Sequence, residues 1–177
     1  DYLLKKSQKT HVFKESINFH DVSYQYPEST SRVLKNLNLA IHYVDHIGVM
    51  GSSGSGKTTL VDLILGLIKP TKGSILVDNL KLDETKLNFS YAPQEVFMLD
   101  ASIKDNILFG EKENNERYQS ILKDMDIDDL ESDLSNNSEY RLGDSGSLIS
   151  GGQRQRIGLA RALYREPEIL IIDEGTN

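Results

Sequence analysis

The chain has 177 residues, 38% hydrophobic and 27% charged, with a net charge of −7. That length supports a domain with a true core, and an acidic balance without a basic block argues against a dedicated nucleic-acid binder. The absence of cysteine excludes a disulfide framework, thiolate metal sites and a cysteine nucleophile. No apolar run approaches the ~18 residues that cross a membrane, and residues 1–17 carry no signal-peptide core. The sequence opens on Asp1 and stops at Asn177 just after an apolar strand, so it reads as part of a longer polypeptide.

Residues 1–15 read as a linker. Partial alternation of Ile17, Phe19, Val22, Tyr24 and Tyr26 predicts a strand, and Pro27 to Ser31 a turn. A second strand is expected over 33–41, with Leu37, Leu39 and Ile41 on one face. Residues 47–50 read as a short buried strand entering a glycine-rich loop. Leu60, Leu63, Ile64 and Leu67 fall at i, i+3, i+4 and i+7, which predicts a helix from Lys57 that Pro70 and Gly73 end. Strands follow at 74–77 and 89–92, the latter stopped by Pro93. From Ser102 to about Tyr164 the pattern is helical with polar loops, and acidic residues 126–137 read as a solvated loop. Arg154, Arg156, Arg161 and Arg165 share one helix, a solvated or phosphate-facing one. The run Ile169-Leu-Ile-Ile172 predicts a central parallel strand buried on both faces.

Chemistry concentrates in three places. Gly51-Ser-Ser-Gly-Ser-Gly-Lys-Thr-Thr59 has the spacing of a phosphate loop. Gly51, Gly54 and Gly56 let the backbone approach closely, and Ser52, Ser53 and Ser55 fill the turn, so that N–H groups and a helix N-terminus face the anion. Lys57 would reach the β- and γ-phosphates, Thr58 would hold Mg²⁺, and Thr59 would meet the α-phosphate region. At the end of the last strand, Asp173 would hold Mg²⁺ through water and Glu174 would polarise a water aimed at the γ-phosphate. Alone, such a pair is an ordinary loop start; the glycine loop gives it this second meaning. Finally, Ser150-Gly151-Gly152-Gln153 opens a helix with Ile157, Ala160 and Leu163 or Tyr164 on its buried side and Ser150 as N-cap. Alone it is a glycine-rich cap. Beside the glycine loop it is a second anion site, which a head-to-tail pair of chains would place on the partner's γ-phosphate.

These motifs together resemble the nucleotide-binding domain of ATP-binding-cassette (ABC) transporters, over roughly residues 15–177. Gly51 to Thr59 matches the family's Walker A loop, Ile169 to Glu174 its Walker B strand and catalytic glutamate, and Ile149-Ser-Gly-Gly-Gln153 its signature, with Ile in place of Leu. The resemblance implies that Tyr26 stacks on adenine. It also implies that Gln94 touches Mg²⁺ and the attacking water and links the site to a membrane domain. The segment from Phe97 to Ile107, with Ser102-Ile-x-x-Asn-Ile107, and Gly143-Asp-Ser-Gly146 are similar to the exporter branch.

The implied fold is α/β, a P-loop NTPase with a RecA-like parallel core sheet, an antiparallel β-subdomain and an α-helical subdomain. Its implied limits are residues 16–94 for the β-subdomain and Walker A core, 95–165 for the helical subdomain, and 166–177 for the Walker B strand. The implied cofactors are ATP and Mg²⁺. The implied partners are a second ABC ATPase domain, identical or not, and a transmembrane domain in the same polypeptide at the cytoplasmic face of a membrane; no nucleic acid is expected. Three departures stand out. Val44 occupies a usual glycine position, which implies a local turn change, and Gly175 replaces a usual alanine. The family's switch histidine is absent, since His11, His20, His42 and His46 all precede the glycine loop. The isolated fragment is therefore expected to bind ATP weakly and hydrolyse it poorly. Two other readings remain at this point: a soluble ABC-type ATPase acting on nucleic acid or ribosomes, and an ATP-binding fragment without turnover.

Overall fold

The computed structural model describes residues 9, 10, 12–135 and 141–173, with residues 9, 10, 134 and 135 described by their backbone alone. The chain divides into two compact units, residues 1–87 and 88–177.

The first unit contains β1 (Lys9–Thr10), β2 (Ser16–Tyr24), β3 (Leu34–His42), α1 (Lys57–Ile64), β4 (Lys72–Val77), β5 (Leu80–Lys81) and β6 (Thr85–Lys86). Four strands form an antiparallel sheet in the order β3-β2-β4-β5, and β1 pairs in parallel with β6. The broken alternation of β2 has a physical cause. Ile17 and Phe19 are two residues apart, but Val22 lies three further on, and all three are buried. A β-bulge between Phe19 and Val22 absorbs the extra residue. Asp21 takes a positive φ of 48° there and exchanges hydrogen bonds with Asn38, at 3.0 Å to its own N–H and 2.9 Å to its carboxylate. Leu37, Leu39 and Ile41 share the more buried face of β3, as their spacing predicts.

Two expectations for this unit are corrected. Residues 47–50 are not a strand, and all four are exposed, Met50 to 94%. An apolar run becomes a strand only where a neighbour supplies ladder partners, and among the described residues none pairs with it. Helix α1 stops at Ile64 rather than near Pro70. Gly66 adopts φ 68°, its N–H meets the Leu63 carbonyl, and the Leu67 N–H meets that of Asp62. This is a Schellman termination, and it leaves Leu67 exposed rather than on the buried face. Val44 takes a left-handed backbone, φ 65°, a strained choice for a β-branched residue.

The second unit contains β7 (Phe89–Ala92), α2 (Ile103–Leu108), α3 (Asn115–Asp124), α4 (Asp128–Ser135), α5 (Gly151–Tyr164) and β8 (Ile169–Ile172). Its core joins Met98, Ile103 and Ile107 to Tyr118, Ile121 and Leu122 of α3 and to Ile157, Ala160 and Tyr164 of α5. The acidic stretch is largely helix, not loop. Asp128, Asp129 and Glu131 occupy the first turn of α4, where the helix dipole favours them. Ile127 is buried and Leu130 packs against the core. Acidic composition reported the solvent face and hid the apolar one; residues 136 and 137 lie outside the described residues. The strand β8 pairs in parallel with β7. It is neither central nor buried on both faces among the described residues: β7 is its one neighbour, and Ile172 is 50% exposed.

Candidate functional site

Within the first unit, the glycine loop lies exposed at the head of α1. A bond from the Ser55 N–H to the Ser52 carbonyl, 3.2 Å, closes its turn. Gly56 precedes the helix with φ 97°, a conformation open to glycine. A Cβ there would come within 3.0 Å of Val33 and 3.1 Å of Leu34, so the loop ends pressed against the start of β3. The Lys57 ammonium folds over the loop and donates to the carbonyls of Gly51 (2.8 Å) and Ser52 (3.0 Å). Thr58 is exposed and Thr59 buried. Tyr26, thirty-three positions earlier in the chain, comes to the same place: its hydroxyl lies 3.1 Å from Thr59 Oγ1.

Within the second unit, β7 and β8 end side by side. In a parallel pair, opposed residues share a face. Tyr91 opposes Ile171, so Asp173, two residues on, falls on the face of Tyr91. The Tyr91 hydroxyl accordingly donates to Asp173 Oδ2 at 2.9 Å, and the Asp173 N–H reaches the Ala92 carbonyl at 3.0 Å. Gln94, Asp173 and Gly152 line one cleft of about 330 Å³, together with Gln155, Arg156 and Leu159. Three segments far apart in sequence thus converge. Glu174 lies outside the described residues.

The Ser150 segment is a full capping box. Ser150 Oγ accepts from the Gln153 N–H at 3.2 Å, and Gln153 Oε1 accepts from the Ser150 N–H at 2.8 Å. Ser150, Gly151 and Gly152 stay exposed. Arg154 fastens the preceding turn by donating to the carbonyls of Gly146 and Ile149, both at 3.1 Å. Further along α5, Gly158 makes room for Val96: a Cβ there would lie 2.6 Å from its methyl carbons.

The four arginines divide: Arg154 and Arg161 turn onto backbone carbonyls, whereas the side chains of Arg156 and Arg165 stay 42% and 44% exposed, as a solvated row would. Arg161 donates to the carbonyls of Asn106 (2.7 Å) and Phe97 (2.8 Å) and lies 4.5 Å from the Phe109 ring centroid. Burial pulls its pKa below the usual arginine value, with Arg165 adding to the effect. Arg156 pairs with Asp126 at 2.8 Å. Asn106, fully buried, bonds Leu99 through both N–H and carbonyl and also binds the Ser102 carbonyl. Tyr91, Arg154, Asn106 and Arg161 were not singled out by sequence as site-building residues. Tyr91 and Arg161 act through partners 82 and 55 positions away, Arg154 and Asn106 through carbonyls a few residues back, and the Ser102-Ile-x-x-Asn-Ile107 pattern was the one available signal.

A strained glycine turn heading a helix, with a lysine over it, and an acidic residue closing a parallel strand define the class: an α/β P-loop NTPase. The model of the family described as ABC transporter matches residues 34–177, and the chain belongs to that family. The chain is 38% identical over 168 residues to a putative export ATP-binding/permease protein of Rickettsia bellii (strain RML369-C), covering 92% of this chain and 29% of that protein. It is 36% identical over 171 residues to an ATP-dependent lipid A-core flippase of Desulfotalea psychrophila (strain LSv54 / DSM 12343), covering 93% and 30%. A solved bacterial Atm1-family ABC exporter with ATP bound superposes with a TM-score of 0.84 at 25% identity, over 97% of this chain and 31% of that one. The chain thus spans under a third of the length of these relatives. Among the described residues no helix is long and apolar enough to cross a membrane.

Proposed function

We propose that this chain binds and hydrolyses ATP to drive export through a membrane domain of the same polypeptide, at the cytoplasmic face, by closing and reopening against a second ABC ATPase domain. The observation that carries the reading is the pairing of two separately built glycine turns, one at the head of α1 and bearing Lys57, the other at the head of α5 and capped by Ser150. Each is an anion site by its backbone and helix dipole.

Lys57 moves from the loop carbonyls to the β- and γ-phosphates, while Gly51, Ser52, Ser53, Gly54, Ser55 and Gly56 cradle them, Thr59 meets the α-phosphate and Tyr26 stacks on adenine. Ser150, Gly151, Gly152 and Gln153 meet the γ-phosphate held by the partner domain. Thr58 and Asp173, with Gln94, offer the hard oxygen donors that Mg²⁺ takes alongside phosphate oxygens and water. When bound, the ion neutralises charge developing on the phosphate oxygens. Glu174 orients the attacking water. The relatives favour export, and no observation favours the soluble alternative.

The test is ATP turnover and ATP binding by the purified full-length protein, with Glu174→Gln beside it. The variant is expected to keep ATP binding and lose turnover by about 100-fold or more, the range for removing a general base. Unchanged turnover in that variant, or none in the unaltered protein, overturns the reading.

A further inference from the structure

We propose that the Tyr26 hydroxyl is a positioning group that locks the base-stacking ring to the phosphate loop through Thr59. The proposal rests on the nucleotide reading above and goes beyond it by giving the hydroxyl a role separate from that of the ring.

Three restraints hold this tyrosine. Its carbonyl accepts from the Ser29 N–H at 3.0 Å, in a turn that Gln25 also braces through a 2.6 Å bond to the Ser29 carbonyl. Its ring meets buried Tyr24 edge to face, centroids 5.0 Å apart at 88°. Its hydroxyl meets Thr59 Oγ1 at 3.1 Å. Thr59 is 4% exposed and sits on α1 two residues after Lys57, whereas Tyr26 remains 41% exposed. The ring is therefore held against Tyr24 and at its hydroxyl end while 41% of the residue stays exposed.

Stacking requires the aromatic face alone, which phenylalanine supplies equally. A hydroxyl bonded to a buried residue of the phosphate loop does something else. It freezes the ring before the base arrives, so that less side-chain freedom is lost on binding. It also ties the base platform to the loop that holds the phosphates, so a nucleotide is favoured over a bare polyphosphate chain.

The experiment is calorimetric titration of the full-length protein with ATP and, separately, with inorganic tripolyphosphate, both without Mg²⁺ so that turnover does not intervene. Tyr26→Phe is expected to weaken ATP by about two- to tenfold, the worth of one net hydrogen bond, and to leave tripolyphosphate unchanged. In a Thr59→Val background, whose own ATP affinity is the reference, the same substitution should have no further effect. An ATP affinity unchanged by Tyr26→Phe, a penalty of equal size in the Thr59→Val background, or an equal loss for tripolyphosphate each overturns the proposal. Failure of the unaltered protein to bind ATP would overturn the nucleotide reading and this proposal with it.

Discussion

The two glycine turns of this chain both head a helix but are built in opposite ways. The loop at the head of α1 is held mainly from within. Its lysine rests on its own carbonyls, its seryl residues are exposed, and its fixed points are Gly56 against β3 and Thr59 against Tyr26. The turn at the head of α5 is held from outside. A reciprocal capping box closes it, Arg154 clamps the carbonyls before it, and Ile149 and Ile157 anchor it in a continuous core. On the proposed reading the first is a cradle that an anion would complete; the second is closed by its own bonds and presents bare backbone. A site that must take up and release a nucleotide suits the first construction, and a surface that must register against a partner suits the second.

The largest expected effect breaks the cradle. Lys57→Ala removes the cation that would leave the loop carbonyls for phosphate. Turnover should fall by about 100- to 1,000-fold, as for other preorganised electrostatic groups, with ATP affinity falling too, read by steady-state ATPase assay and calorimetry. A loss of turnover with full affinity would show instead that the lysine serves the transition state alone.

A smaller effect should sharpen the contrast at the other turn. Arg154→Ala removes two charge-assisted bonds, each worth about 1.5–3 kcal/mol, from the outside clamp. On the proposed head-to-tail arrangement, in which the affected turn meets the partner's nucleotide, ATP affinity should stay near that of the unaltered protein while turnover drops about tenfold or more. Equal losses of affinity and turnover would mean that both turns serve one nucleotide.

The smallest effect probes the helical packing behind the rigid turn. Glu131 accepts from the Tyr118 hydroxyl at 2.8 Å, and burial raises its pKa above the ordinary 4.5, outweighing the opposing effects of Tyr118 and Lys104. Burial likewise raises the Tyr118 phenol well above its ordinary value. Folding therefore retains a proton on Glu131 that the unfolded chain releases. The stabilisation is fully present below 4.5 and is lost as pH rises through the raised folded value. Glu131→Gln keeps an acceptor and removes the charge, so it should raise Tm slightly near neutral pH and leave it unchanged in acid, by thermal melts at both. A drop in Tm at neutral pH would show that the ionised carboxylate stabilises the fold.

Sequence alone determined what is local. The glycine loop and the start of α1 at Lys57 follow from residue type and spacing within a few positions. So do the strands Phe89–Ala92 and Ile169–Ile172 and the Ser150 cap, because backbone angles and capping bonds are short-range. The broken period of β2 was also visible, although its bulge was not. Tertiary structure decided everything that depends on a distant partner. It set Tyr26 on Thr59, Tyr91 on Asp173, and Arg161 on Asn106, and it turned Arg154 and Arg161 onto backbone carbonyls. It also decided burial: residues 47–50 and Ile172 are apolar yet exposed, and an acidic stretch conceals a helix with a buried edge. Apolar composition states what a segment gains by being covered; whether it is covered depends on the surface brought against it, which no short window of sequence contains.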